Sequence, residues 1–301
     1  MRIAITGSSG LIGTALMRHL EARGDDVTRV IRRSTDQVEA KGVRWDPERG
    51  EVEAAGLEGQ DALIHLAGEN ISAGRWTPRQ KERILQSRTR GTALLADTLA
   101  ALEQPPKVWL SASAIGYYGY RDPMEKVDES TSKGSGFLAD VAKEWEHSTQ
   151  AAQRAGIRVV HLRFGVVLSP QGGALAAMLP LFKGGLGGRI GTGKQMMSWV
   201  SLADVPPILM HVLEQEHLSG PVNVVSPHPV SNGEFTRVLG RVVKRPTMIP
   251  LPGFAARLIL GEMADELLLQ GCRVLPGKLE ETGYRFRHPE LEPALRSLLD
   301  G

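Results

Sequence analysis

The sequence predicts an α/β fold: a doubly wound parallel sheet followed by a smaller, mostly helical C-terminal lobe. Three observations point there. Short apolar runs alternate with amphipathic helical stretches through the first half. A glycine-rich turn follows the first apolar run and opens a helix. After Gly165 the texture changes to frequent Gly and Pro breaks with helical periodicity between them.

The strands read as Arg2–Thr6, Val27–Ile31, Ala62–Leu66, Val108–Ser111 and Val159–Leu162. Each is short, apolar and followed by Gly, Ser or a charged pair. Helices are expected at Leu11–Arg23, Arg79–Leu102 and Leu138–Ala155, then at Leu202–Glu214, Asn232–Val242, Phe254–Leu269 and Glu290–Leu299. We therefore expect a sheet domain over residues 1–170 and a second lobe over 171–301. That boundary is soft, because Val222–Val225 has the composition to return to the sheet.

Composition bounds the class. The chain has 301 residues, with 34 Gly and only 15 aromatics (6 Phe, 5 Trp, 4 Tyr). The glycine excess has no collagen period and comes with 42% hydrophobic residues, which excludes fibrous and disordered readings. The 36 Lys+Arg against 34 Asp+Glu are spread along the chain, so no nucleic-acid partner is expected. A single cysteine, Cys272, excludes an internal disulfide framework. The N-terminus enters a strand at once and no run approaches a membrane span, so a reduced, soluble, cytoplasmic protein without a membrane partner is expected. The eight histidines show no metal-ligand spacing, and no metal is expected.

The chemistry starts at Thr6-Gly7-Ser8-Ser9-Gly10-Leu11-Ile12-Gly13. In a strand–turn–helix context the first glycine permits the tight turn, the second lets backbone approach a pyrophosphate, and the third lets helix pack close to strand. Ser9, Gly10, Leu11 and Ile12 would offer N–H groups and the positive end of the helix dipole to the phosphates. The fold is then Rossmann-like. Where a NAD-selective site carries an acid at the end of the second strand, this chain has Arg32-Arg33. A planar fork suits a 2′-phosphate, so the expected cofactor is NADP(H), read by Arg32 and Arg33.

The spacing T-G-x-x-G-x-x-G resembles that of the short-chain dehydrogenase/reductase superfamily, and further motifs follow in its order. Asp61-Ala62-Leu63-Ile64-His65-Leu66-Ala67-Gly68 is similar to the strand-four segment of extended members. The resemblance implies that Leu66, Ala67 and Gly68 border the adenosine and ribose. Arg88-Thr89-Arg90-Gly91-Thr92 resembles N-x-x-G-T with Arg88 replacing Asn, which suggests a cofactor phosphate or an anionic substrate as its partner. Leu110-Ser111-Ala112-Ser113 resembles the strand end that supplies the catalytic Ser, here Ser113, with Ser111 and Ala112 beside the cofactor. Arg163-Phe164-Gly165-Val166 resembles the segment bordering the nicotinamide, through Phe164, Gly165 and Val166. The stretches Ile249-Pro250-Leu251-Pro252, Gly261-Glu262-Met263 and Thr282-Gly283-Tyr284-Arg285-Phe286 are similar to one atypical, extended subgroup, the epimerase-family proteins. That resemblance spans nearly the whole chain and implies an oxidoreductase or epimerase-like enzyme acting on a small carbonyl or nucleotide-sugar substrate, as a monomer or homodimer.

The superfamily's chemistry rests on Y-x-x-x-K, and here the pattern breaks. Four residues beyond Tyr117, Tyr118, Tyr120 and Tyr284 stand Arg121, Asp122, Met124 and His288. In the expected helix Lys143 takes the Lys place, and the Tyr place is then Ala139. Three outcomes stay open: Tyr117 or Tyr118 substitutes; Ser113 alone assists a transfer needing little acid catalysis; or the protein binds NADPH as a regulator or redox sensor without chemistry. Equally, the two tyrosines would serve as loop packing and Lys143 as a solvated helix residue. His65 reads as a packed core histidine. Met196 and Met197 either line a substrate pocket or fill core, the Gly184–Gly193 loop borders the substrate, and the apolar positions of Leu258–Leu269 read as core or subunit interface.

Overall fold

The computed structural model describes residues 1–32 and 42–300. Its centre is a sheet of β1 (Arg2–Thr6), β2 (Asp26–Arg32), β3 (Val43–Asp46), β4 (Glu51–Val52), β5 (Ala62–His65), β6 (Val108–Ala114), β7 (Arg158–Phe164) and β8 (Gly220–Val224), in the spatial order β8-β7-β6-β5-β1-β2-β3-β4. All neighbours are parallel except β3 and β4. The chain grows outward from β1 through β2, then restarts on its other side at β5. The reversal opens a crevice beyond the carboxyl ends of β1 and β5, where ligands bind such sheets.

The helices are α1 (Leu11–Arg23), α2 (Pro78–Ala100), α3 (Phe137–His147), α4 (Gln150–Arg154), α5 (Gly173–Lys183), α6 (Val205–Glu214), α7 (Asn232–Val242), α8 (Gly253–Leu260) and α9 (Leu291–Leu299). Strand alternation divides the core in two. Ile3, Ile5, Ile64 and Leu110 face one side, against Leu16 and Leu20 of α1 and Ile208 and Leu209 of α6. Ala4, Leu63 and Trp109 face the other, against Leu95 and Leu99 of α2 and Ala152 of α4. Beyond residue 170, α5 and α7 close a separate cluster with α9 around Trp199 and Phe235.

Three departures from the sequence reading have local causes. The stretch 138–155 is two helices, because Ser148 Oγ and Thr149 Oγ1 donate back to the Glu144 and Glu146 carbonyls and end α3. The stretch 254–269 breaks at Gly261, whose φ of +64° no helix accommodates. Strands β3 and β4 are too short and too charged to show a period, yet they extend the sheet and bury Trp45. Of the two readings of Leu258–Leu269, core or subunit interface, core is corrected at Leu258: α8 buries only Ala256 and leaves Leu258 and Ile259 exposed in the single chain.

Candidate functional site

The turn between β1 and α1 has the shape its glycines require. Gly7 sits at φ +67°, and a Cβ there would lie 2.8 Å from the Ala67 nitrogen. A Cβ on Gly13 would lie 2.1 Å from the Gly7 carbonyl oxygen, so the helix can pack on the turn only without one. Gly10 donates to that same carbonyl at 3.0 Å and stands at the N-cap with no side chain covering the helix end. The N–H groups of Leu11, Ile12 and Gly13 therefore have no intrahelical acceptor and no acidic neighbour in the first turn. Ser9 is exposed beside them.

A cavity of about 1020 Å³ continues from this turn along α1 and the length of β2 to the segment after β5. Gly7, Ser9, Gly10, Leu66, Ala67, Gly68 and Arg32 line it, so residues separated by up to 61 positions meet on one wall. Arg32 is exposed at the end of β2. Arg33 lies outside the described residues.

Thr6 locks the two central strands together. Its Oγ1 accepts from the N–H groups of Leu66 and Ala67 at 3.1 and 3.3 Å and bonds His65 Nδ1 at 2.6 Å. With two N–H groups already donated to it, the Thr6 hydroxyl gives its own proton to Nδ1. The His65 proton is then on Nε2, facing Thr92 Oγ1 at 3.1 Å, which also accepts from Trp145 Nε1. Burial drives the His65 pKa down to about 3, so the ring is neutral.

At the other end of the crevice, β6 and β7 deliver a buried polar cluster. Ser113 Oγ donates to Glu146 Oε1 at 2.7 Å. Arg163 grips the same carboxylate with Nε and Nη2, both at 2.8 Å, and gives Nη1 to the Tyr118 hydroxyl at 2.9 Å. Tyr118 in turn donates to Asn223 Oδ1 of β8 at 2.8 Å. Burial alone would lower the Arg163 pKa, but the bonds to Glu146 outweigh it and hold the guanidinium above its ordinary value. Burial pushes the Tyr118 hydroxyl up to about 12.

The candidate residues from the sequence divide sharply here. Tyr118 is fully buried and bonded on both sides, a structural tyrosine. Tyr117 is half-buried with the Arg163 guanidinium stacked 3.6 Å from its ring centre, and its hydroxyl makes no hydrogen bond among the described residues. Lys143 is not brought to Ser113. It is 59% exposed with only Glu144 nearby, because the inward face of α3 is Ala139, Ala142 and Glu146. Successive helical positions turn by about 100°, so a buried Ala142 carries Lys143 out to water.

Arg88 Nη1 and Nη2 donate to the carbonyls of Ile84 and Glu69, and its guanidinium lies 5.0 Å from the Trp145 ring centre. Burial lowers its pKa to about 10. Arg88 thus pins the segment after β5, beside the cavity-lining Gly68. Ser111 is buried on β6 with its hydroxyl unpartnered, and Ala112 is buried between it and Ser113. Phe164 and Val166 flank Gly165, where a Cβ would lie 2.6 Å from the Ser198 carbonyl, so the second lobe presses directly on this segment. Met196 and Met197 are half-buried in a short strand pair.

Sequence reasoning missed Glu146, Arg163 as its partner, and Asn223. The one available signal was a carboxylate one helical turn beyond the buried Ala142. No group of three or more His, Cys, Asp or Glu among the described residues could hold a metal ion. No described helix is long and apolar enough to cross a membrane.

Comparison with known proteins agrees with this geometry. Residues 3–242 match the NAD-dependent epimerase/dehydratase family, and residues 251–298 match a domain of unknown function, DUF1731. The epimerase family protein Mb2239 of Mycobacterium bovis is 45% identical over 293 residues, covering 97% of this chain and 96% of its own. The human epimerase family protein SDR39U1 is 36% identical over 301 residues, covering 99% of this chain and all of its own. A crystal structure of the human protein (isoform 2) with NADPH superposes with a TM-score of 0.90 at 35% identity, covering 100% of this chain and 99% of that one.

Proposed function

Because the chain belongs to the NAD-dependent epimerase/dehydratase family, we propose that it is an NADP(H)-dependent oxidoreductase, acting on a hydroxyl of a small substrate such as a sugar. The observation carrying this reading is the pair of features at one sheet edge: an uncapped helix end behind three glycines, and a buried Ser113–Glu146–Arg163 cluster.

The residues present fit the dinucleotide. The glycine turn leaves backbone N–H groups facing outward where side chains would obstruct it, and the human relative was crystallised with NADPH. Gly7, Ser9, Gly10, Leu11, Ile12 and Gly13 would hold the pyrophosphate, and Leu66, Ala67 and Gly68 the adenosine side. Arg32, with Arg33, would take the 2′-phosphate. Ser111, Ala112, Phe164, Gly165 and Val166 would border the nicotinamide, which when bound supplies or accepts a hydride.

The chain's own residues handle the proton. Glu146 accepts from Ser113 and twice from Arg163, so it is oriented as a carboxylate. With its proton directed at Glu146, Ser113 turns its lone pairs away from that carboxylate. A substrate hydroxyl donating to Ser113 Oγ would pass its proton to the serine while the serine's proton moves to Glu146. The reverse transfer serves carbonyl reduction. Tyr117, stacked on Arg163, is the other group that could carry the proton. Cys272 is buried, and burial pushes its thiol up to about 12, so it stays a protonated thiol that takes no part in the proton transfer.

A second reading, an NADPH-binding regulator without turnover, draws on Lys143 standing in solvent. One experiment separates the two. Titration should give NADPH binding at least tenfold tighter than NADH, with Arg32→Ala removing most of the difference, about 1.5–3 kcal/mol for a charged hydrogen bond. Turnover across hydroxyl and carbonyl substrates should fall about a hundredfold in Ser113→Ala. Equal affinity for both cofactors would refute the 2′-phosphate assignment. Tight NADPH binding with no turnover of any substrate would favour the regulator.

A further inference from the structure

Ten large hydrophobic side chains are exposed among the described residues, and seven fall in two segments of the second lobe. Leu181 and Leu186 belong to residues 181–194; Met248, Ile249, Phe254, Leu258 and Ile259 belong to residues 244–260. Met248, Leu258 and Phe254 are the most open, at 84, 77 and 75%. The two segments are joined. Ile190 bridges Leu251, the Leu251 N–H donates to the Arg189 carbonyl and its carbonyl accepts from the Gly191 N–H, both at 2.9 Å, and Arg245 Nε donates to the Lys183 carbonyl at 3.0 Å. The apolar side chains therefore share one region of surface, larger in number than scattered exposure explains.

Every charge within the two segments is positive. The two segments carry Lys183, Arg189, Lys194, Lys244, Arg245 and Arg257, and not one Asp or Glu. Arg257 pairs with Asp265 from outside, while the other five have no carboxylate partner among the described residues. None of the exposed apolar side chains of the two segments lines the cavity at the cofactor turn.

We propose that this basic, apolar face docks the protein peripherally on an anionic lipid surface. Aliphatic side chains entering the headgroup boundary and cations meeting lipid phosphates are the two contributions such binding needs. A twofold copy of the same face would bring these cations against each other, so self-pairing is disfavoured. This inference is independent of the proton-transfer reading.

The test is cosedimentation of the full chain with vesicles of phosphatidylcholine alone or mixed with phosphatidylglycerol. Binding is expected on the mixed vesicles and should weaken about tenfold or more in high salt or on neutral vesicles. Phe254→Ser with Leu258→Ser, and separately Lys183→Glu with Lys244→Glu, should each abolish it while melting temperature and NADPH affinity stay unchanged. Absence of binding to the mixed vesicles, equal binding to both vesicle types, or wild-type binding by both double variants would overturn the proposal. So would self-association that the Phe254/Leu258 variant removes, since it would assign the face to a second copy.

Discussion

The Ser113 hydroxyl donates to Glu146 Oε1 at 2.7 Å, which places a carboxylate behind the serine at the end of β6. Arg163 fixes that carboxylate from the opposite side with two further bonds, so Glu146 has one orientation and Ser113 one direction in which to point.

Replacing Glu146 by Gln keeps the shape and removes the charge. Turnover should fall about a hundredfold while NADPH affinity changes by less than about threefold, because the cofactor turn lies on other strands. Arg163 loses its counter-ion in a buried site, so stability should fall by about 3–5 kcal/mol. Glu146→Asp restores the charge, and partial recovery of turnover is expected. Denaturant unfolding read beside steady-state rates tells a proton-handling carboxylate from one that only supports the fold. Wild-type turnover in the folded Gln variant would exclude the former.

Tyr117 and Tyr118 are adjacent in sequence but should respond in opposite ways. Tyr118→Phe deprives Arg163 Nη1 of its acceptor and Asn223 of its donor, costing about 1–3 kcal/mol. Tyr117→Phe keeps the ring on Arg163, so stability should move by less than about 0.5 kcal/mol and turnover by less than about threefold. A large loss of turnover in Tyr117→Phe would transfer the proton step from Ser113 to Tyr117.

Gly13→Ala tests the turn. Its Cβ would meet the Gly7 carbonyl at 2.1 Å, and that atom is backbone and cannot swing aside. The start of α1 must shift away from the turn, costing about 1–3 kcal/mol and lowering NADPH affinity by more than about tenfold. Thermal unfolding with and without NADPH reads both effects. Wild-type stabilisation by NADPH would show that the turn does not hold the phosphates.

His65 predicts a pH dependence. Its folded pKa is about 3, against roughly 6.5 when unfolded. Between those values the unfolded state binds the extra proton, so stability falls as pH is lowered through the window, with a slope from this residue approaching about 1.4 kcal/mol per pH unit. Urea midpoints between about pH 7 and about pH 5 should show this decline, and His65→Asn should flatten it. An unchanged slope in the variant would mean the ring is not held neutral by the fold.

Much of the cofactor half was legible from residue order. Gly7, Gly10 and Gly13 act within one strand–turn–helix unit, so their spacing carries their geometry. Leu66, Ala67 and Gly68, singled out by resemblance, follow a short apolar strand that pairs directly with β1 and line the cavity beside the turn. The opposite end was not. Alignment to the pattern gives Lys143 the Lys place, with a solvated helix residue as the other reading, and the helical phase of α3, set by buried Ala139, Ala142 and Trp145, leaves Lys143 exposed and turns Glu146 inward.

The sequence by itself determined the glycine turn, the arginine at the end of β2 and the absence of any Tyr-x-x-x-Lys, all matters of local order or simple inventory. Only the tertiary structure decided which polar groups share the end of β6. Ser113, Glu146, Arg163, Tyr118 and Asn223 come from separate elements up to 110 residues apart. Their meeting depends on parallel strand register and on the face each helix buries, both fixed by packing across the whole sheet.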